Sequence, residues 1–337
     1  MQLKIDHVTL CASKLEPLQS AFAEIGLATD YGGPHANGIT HMALLGFADG
    51  SYLELIAPYQ GQTEASPWAE LMLGDAGPGA WAVGTEDIKK EVAQLRAHGI
   101  ASPGPVPGSR HRPDGKLLEW ETASFGPGSA GALLPFLIQD HTPRELRVQP
   151  SARVYESAIT GVAAVVLGVG NLEGAILLFQ RAYGWGAPLI EDHSDFGAQL
   201  AHFAGTPVML ASPSGEASPI AQRLAKFGEI PAAFLVKTPD LRNAAHRFPL
   251  IGESTVVRSA ARMVRSRQTA RTAPGTAQVL VHSNASPAQA CTSECPTAQT
   301  RHPERIFTVD NAKARALNNP TRFPNSEQKI FGVRAEN

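Results

Sequence analysis

Between Leu3 and Ala57 the apolar residues change period along the chain. A β-branched and apolar run beginning at His7 predicts a strand. The stretch after Leu15-Glu16, closing near Phe22 and Gly26, predicts an amphipathic helix. Thr40 to Pro58 reads THMALLGFADGSYLELIAP, two apolar runs joined by Ala-Asp-Gly-Ser, and Asp49-Gly50 between such runs is a hairpin signal. The order strand, helix, short strands returns from Ala80–Thr85, through a helix over Glu86–His98, to Leu117–Trp120 and Leu133–Ile138. Acidic Glu86-Asp87 open that helix and His98-Gly99 close it, as dipole and cap preferences require. Pro103-Gly-Pro-Val-Pro107 predicts a loop without regular structure. The unit is βαβββ, used twice.

The whole pattern is then echoed. HVTLCASKLEPLQSAFAEIGL (His7–Leu27) returns as AVVLGVGNLEGAILLFQRAYGW (Ala164–Trp185). SPWAELMLGDAGPGAWAVGTEDI (Ser66–Ile88) returns as SPIAQRLAKFGEIPAAFLVKTPDL (Ser218–Leu241). Both echoes keep an offset of roughly 155 residues, which predicts a tandem duplication. The expected fold is α+β, with cupped mixed sheets: a domain of two units over 1–148 and a degenerate repeat over 155–255. Residues 256–337, rich in Arg, Ser, Thr, Ala and Pro, break the pattern. They read as a divergent or disordered tail, or as a GC-rich gene translated out of frame.

Composition narrows the function classes. Charged residues make up 18% of 337 and the net charge is −2, so no basic excess suits nucleic acid. No apolar run is long enough to span a bilayer and no leader pattern is present. Cys11, Cys291 and Cys295 make no disulfide framework, which suits a reducing cytoplasm. Cys291 and Cys295 with His282 and His302 form only an irregular sketch of a zinc site. The expected partner is a small molecule, bound by a monomer or homodimer.

Glu54 is the odd residue, a carboxylate in the middle of an apolar strand. In a βαβββ unit the first and last strands can lie side by side, which brings His7 and Glu54 together on a concave face. An imidazole and a carboxylate there are natural ligands for a divalent cation. A two-residue turn at Asp49-Gly50 would pair Glu54 with Leu45 and put Ala43 and His41 on the same face. His41 would lie about 13 Å along the strand, as a substrate contact, general base, third ligand or merely structural residue. Ordinary readings stand beside these: His7 as a strand-end histidine, Glu54 facing solvent, His35 as a loop residue. Arg110 and Arg112 are either solvated loop charges or a clamp for an anion. Trp120 is either core or cavity wall.

Asp6-His7, Gly38-Ile-Thr-His41, Asp49–Pro58, Arg112-Pro-Asp-Gly115 with Leu118-Glu-Trp120, and Leu134-Pro-Phe136-Leu-Ile138 resemble the glyoxalase-like branch of the vicinal oxygen chelate superfamily. The resemblance covers residues 1–145 well and 160–255 weakly. It implies paired units cupped around a divalent metal ion, with His7 and Glu54 as ligands. It further implies Glu54 or His41 as proton carrier, and Arg110, Arg112, Trp120 and Phe136 toward substrate. Isomerase, lyase and dioxygenase chemistry all use such a site. Two protein ligands are few for an iron dioxygenase, which leaves proton transfer on a substrate with vicinal oxygens. The family's second set of ligands is missing: Ala80 and Gln139 stand in the second unit, Ala164 and Met209 in the second half. Those losses favour the alternative of a metal-free binding or sequestration protein.

Overall fold

Strand β1 (Ile5–Cys11) is buried along its whole length, because both of its edges and both of its faces are covered. Helix α1 (Leu15–Glu24) follows, with Leu15, Leu18, Ala21 and Phe22 on its buried face. Strands β2 (Asp30–Pro34), β3 (Thr40–Gly46) and β4 (Tyr52–Pro58) complete the first unit. Helix α2 (Ala69–Leu73) leads to β5 (Gly77–Gly84) and α3 (Ile88–Ala97). The Asp87 side chain caps α3 by accepting from the Lys90 amide. Strands β6 (Val106–His111), β7 (Leu117–Ala123) and β8 (Phe136–Asp140) close the second unit, and the single turn α4 (Arg144–Arg147) crosses back toward β1. The structure, a computed structural model, describes residues 2–62, 67–157, 159–194 and 196–239, and the backbone of a strand at 277–282.

The described part of the second half repeats the wiring of the first as far as its fifth strand. It runs β9 (Gly161–Gly168), α5 (Leu172–Tyr183), β10 (Leu189–His193), β11 (Ala198–His202), β12 (Val208–Pro213), α6 (Pro219–Phe227) and β13 (Pro231–Thr238). Asn171 and Ser218 cap α5 and α6, and Gly184 ends α5 at φ 70°, where only glycine is at ease. The sheets are ordered β2-β3-β4-β1-β5-β8-β7-β6 and β10-β11-β12-β9-β13-β14, β14 being Ala277–His282. In both, the first strand runs parallel to the fourth and antiparallel to the fifth. The duplicated βαβββ reading therefore describes the molecule.

Two details differ from expectation. Strand β6 begins at Val106, inside the stretch expected to be loop, because Val106 and Pro107 pair with Thr122 and Glu121 as a sheet edge. Proline is tolerated at such an edge. The strand at 277–282 pairs antiparallel with β13, whereas β8 runs parallel to β5. The remainder of 256–337, including Cys291, Cys295 and His302, lies outside the described residues.

One apolar core joins the outer faces of the two sheets, with Phe22 of α1, Leu95 of α3 and Phe179 of α5 packed among Val8, Leu53, Val165 and Leu167. The inner faces differ. In the second half Phe196 and Ile220 settle with Leu224 onto Ala164, Val166, Met209 and Leu235, so that cup is filled by its own chain. The first cup stays hollow. No described helix is long and apolar enough to cross a membrane.

Candidate functional site

The hollow is built around a bulge. Along β5 the pairing passes directly from Ile5↔Val83 to His7↔Ala82, so Asp6 is the extra residue. A bulge locally breaks the alternation of faces, and the consecutive side chains Asp6 and His7 meet, with His7 Nδ1 at 2.7 Å from Asp6 Oδ1. Arg147 locks Asp6 from α4 by donating from Nη1 to Oδ1 at 3.1 Å and from Nη2 to Oδ2 at 3.0 Å, and Arg144 adds a further bond. Arg147 also grips Asp140 at 2.6 and 2.8 Å and donates to the Tyr52 hydroxyl at 2.6 Å. Burial alone would raise the Asp6 pKa, but the Arg147 charge and the His7 bond hold this carboxyl well below the usual range. An ionised carboxylate only accepts, so Nδ1 of His7 carries the hydrogen and Nε2 is left for the cavity. The imidazole is held flat against Tyr52, centroids 4.6 Å apart.

On the parallel neighbour β4, Glu54 stands opposite Thr9, on the face shared by His7 and Tyr52. The Thr9 hydroxyl donates to Oε2 at 3.2 Å, His7 Nε2 lies 3.7 Å from Oε2, and His35 Nε2 lies 3.4 Å from Oε1. Burial pushes this carboxyl up, yet the bonds from His35 and Thr9 prevail and bring it from 4.5 down to about 2. A depressed folded-state pKa contributes stability that is present above the unfolded value and lost as pH falls through the folded one. Acidification from about pH 5 to pH 2 should therefore remove up to about 3 kcal/mol through Glu54. Urea unfolding along that pH range should show a Glu54→Gln variant weaker at neutral pH and flatter in acid; parallel curves would contradict this.

The expected hairpin register is off by one. The turn uses Ala48-Asp49-Gly50 as a three-residue loop, with Phe47 N donating to Ser51 O and Gly50 at φ 85°. That loop class ends on a left-handed glycine. Glu54 consequently pairs with Leu44 rather than Leu45. A slip of one residue exchanges faces, so Thr40, Met42 and Leu44 share the side of Glu54. His41 pairs with Ala57 and turns away to Tyr31 and Tyr59, and it does not line the cavity. His35 fills the role expected of His41. Its Nδ1 bonds the Thr40 hydroxyl at 2.7 Å, which aims Nε2 at Glu54. Thr40, five residues on, was the available signal, and it was readable only in the correct register.

The cavity holds about 300 Å³ and its lining mixes two kinds of side chain. His7, His35, Tyr52, Glu54, Arg110 and Arg147 supply polar groups, and Met42, Leu44, Trp68, Trp120, Phe136 and Ile138 supply apolar surface. Leu44 is paired directly to Glu54, and Arg110 lies on the strand beside Trp120. Trp120 lies across Gly108, where an added Cβ would meet the indole at 2.4 Å, so glycine keeps that wall flat. Arg110 is only 4% exposed. Arg112 instead points away, donating to Leu146 O at 2.9 Å and pairing with Asp114 at 3.3 Å. Gln139, on the last strand of the second unit, spends its amide capping α3, accepting from Ile88 N and donating to Glu86 O.

The residues present do not fit a resident divalent ion. His7 and His35 address opposite oxygens of Glu54, as two partners of one carboxylate rather than a shell about one point. Among the described residues no three His, Cys, Asp or Glu side chains are placed to hold an ion. The facing strands bring Ala82, Phe136 and Ile138, which carry no lone pair for a hard cation. In the second half Met209 stands opposite Val166 as Glu54 stands opposite Thr9, and Ala164 and Met209 lie under α6.

A family model described as a glyoxalase-like domain matches residues 5–183. Among solved structures, a hypothetical protein from Staphylococcus aureus is similar at 15% identity, over 64% of this chain and 88% of that one, with a TM-score of 0.49. A mutant 4-hydroxymandelate synthase from Streptomyces coelicolor is 15% identical over 74% and 76% of the two chains, TM-score 0.49. An S. coelicolor methylmalonyl-CoA epimerase variant is 21% identical over 42% of this chain and all of its own, TM-score 0.33. None of the curated proteins matches.

Proposed function

Because the chain belongs to the glyoxalase-like domain family of the vicinal oxygen chelate superfamily, we propose that it is a proton-transfer enzyme of isomerase or lyase type acting on a small oxygen-bearing molecule. Members of the superfamily commonly bind a divalent metal, and the sequence led to a metal-assisted version of this reaction. The donor set argues instead for chemistry carried by side chains. The observation that supports it is the Asp6–His7 contact at 2.7 Å, behind an imidazole that lines the cavity beside Glu54.

In this mechanism His7 Nε2 removes a proton from a carbon beside a carbonyl. The C–H electron pair moves into the new C=C bond and the carbonyl pair moves onto oxygen. Asp6 stabilises the imidazolium that forms, and the Glu54 charge at 3.7 Å adds to it. Glu54, with its pKa held near 2, stays ionised and does not carry the proton. Tyr52 stays a neutral phenol because burial pushes its pKa far up. Its oxygen accepts from Arg147, which leaves its own O–H to donate to the enolate. Return of the proton to carbon completes an isomerisation; expulsion of a β-substituent completes an elimination.

The test is solvent exchange. The full chain, treated with chelator, is incubated in D2O with a panel of small oxo and hydroxy acids and ketones, and deuterium beside the carbonyl is read by NMR. Exchange that survives chelation supports the mechanism. Exchange that returns only with added Mn2+ or Zn2+ would restore the metal-assisted version, and binding without exchange would favour sequestration.

A further inference from the structure

Among the described residues Arg110 makes no ion pair. The other arginine of the cavity, Arg147, is matched to Asp6 and Asp140. Arg110, equally buried, donates only to two backbone carbonyls, Gly32 O at 2.8 Å and Arg147 O at 3.3 Å. Among the described residues no carboxylate lies within ion-pair distance of it. A guanidinium carries five N–H donors, so much of its capacity is unspent, on a side chain that lines the hollow. Burying an unpaired cation is costly unless something answers it. Glu54 attracts it across the cavity without bonding it, since the Glu54 oxygens are engaged by Thr9, His35 and His7.

The aromatic lining, which includes Trp120 on the strand beside Arg110, narrows the rest of the ligand. Trp68, Trp120 and Phe136 offer flat apolar surfaces beside Ile138. A hollow of about 300 Å³ has room for roughly ten waters, so the occupant is a small metabolite.

We infer that the site selects a small monoanion, a carboxylate bearing one flat apolar ring, with the carboxylate on Arg110 and the ring against the cluster of Trp68, Trp120 and Phe136. This rests on the proposed function only for the location of the site. Aligned so, the carbon chain between ring and carboxylate passes the wall that carries His7 and Tyr52.

Charge and ring can be tested separately by calorimetric titration of the full chain at low salt with phenylacetate, phenylacetamide, acetate and phenethylammonium. Phenylacetate should bind about tenfold or more tightly than each of the others. Arg110→Gln should erase the preference over phenylacetamide, and His7→Gln should keep it. Should Arg110→Gln fail to fold, the comparison in the wild type decides alone. Equal affinity for acid and amide, preference for the ammonium, or no binding of phenylacetate overturns the inference. Chelator-resistant exchange into neutral ketones alongside such a result would leave the proton-transfer reading standing, whereas anion-selective binding without exchange would do the reverse.

Discussion

Arg147→Met should lower the stability of the chain by about 3–5 kcal/mol. The guanidinium is 5% exposed and makes bonds to Asp6, Asp140 and Tyr52, with its carbon 5.5 Å over the Tyr52 ring. Methionine keeps most of the volume and none of the charge. Asp6, whose side chain is 1% exposed, would then face His7 and the more accessible Arg144 alone. Lysine should rescue only part, because a point charge cannot bond two carboxylates in the plane of a fork. The signature lies in pH. Asp6 has a depressed folded-state pKa, so the stability it contributes is present above the ordinary carboxylate pKa and lost in acid. The gap between Arg147→Met and wild type, read from urea midpoints, should therefore narrow as pH falls below about 4. A gap that is constant with pH would mean that Arg147 acts by packing alone.

His7→Gln should slow solvent exchange by about 10²–10⁴-fold while ligand affinity changes little. Glutamine can still reach Asp6 and fill space beside Tyr52, but it has no lone pair basic enough to take a proton from carbon. His41→Gln supplies the contrast, since His41 sits on the other face of β3 with Tyr31 and Tyr59. Exchange rates followed by NMR for both variants separate the two histidines. Comparable losses would mean that proton transfer does not run through the Asp6–His7 pair.

The sequence carried the repeat and the meeting of His7 with Glu54, because both rest on periodicity and on which strands lie side by side. It did not carry the identity of the second imidazole. That depended on one residue of loop length: a two-residue turn at Asp49-Gly50 presents His41, whereas the three-residue turn presents Thr40 and, through it, His35. Arg110 and Arg112 were indistinguishable as neighbours in a basic stretch. Strand alternation separates them, sending Arg110 inward opposite Leu118 while Arg112 falls beyond the strand. The role of Asp6 was hidden for another reason. Consecutive residues of a regular strand face opposite ways, so only a bulge, set by how β1 meets β5, lets it reach His7. Its anchor on α4 is separated by 141 positions, a distance across which no local pattern reports.

The seating of α6 on the inner face of the second sheet sets the stoichiometry of the molecule. Two copies of one ancestral plan are present, yet Ile220 and Leu224 occupy the volume that a guest would need in one of them. Titration should saturate at a single equivalent per chain, without the cooperativity that twin chambers would permit.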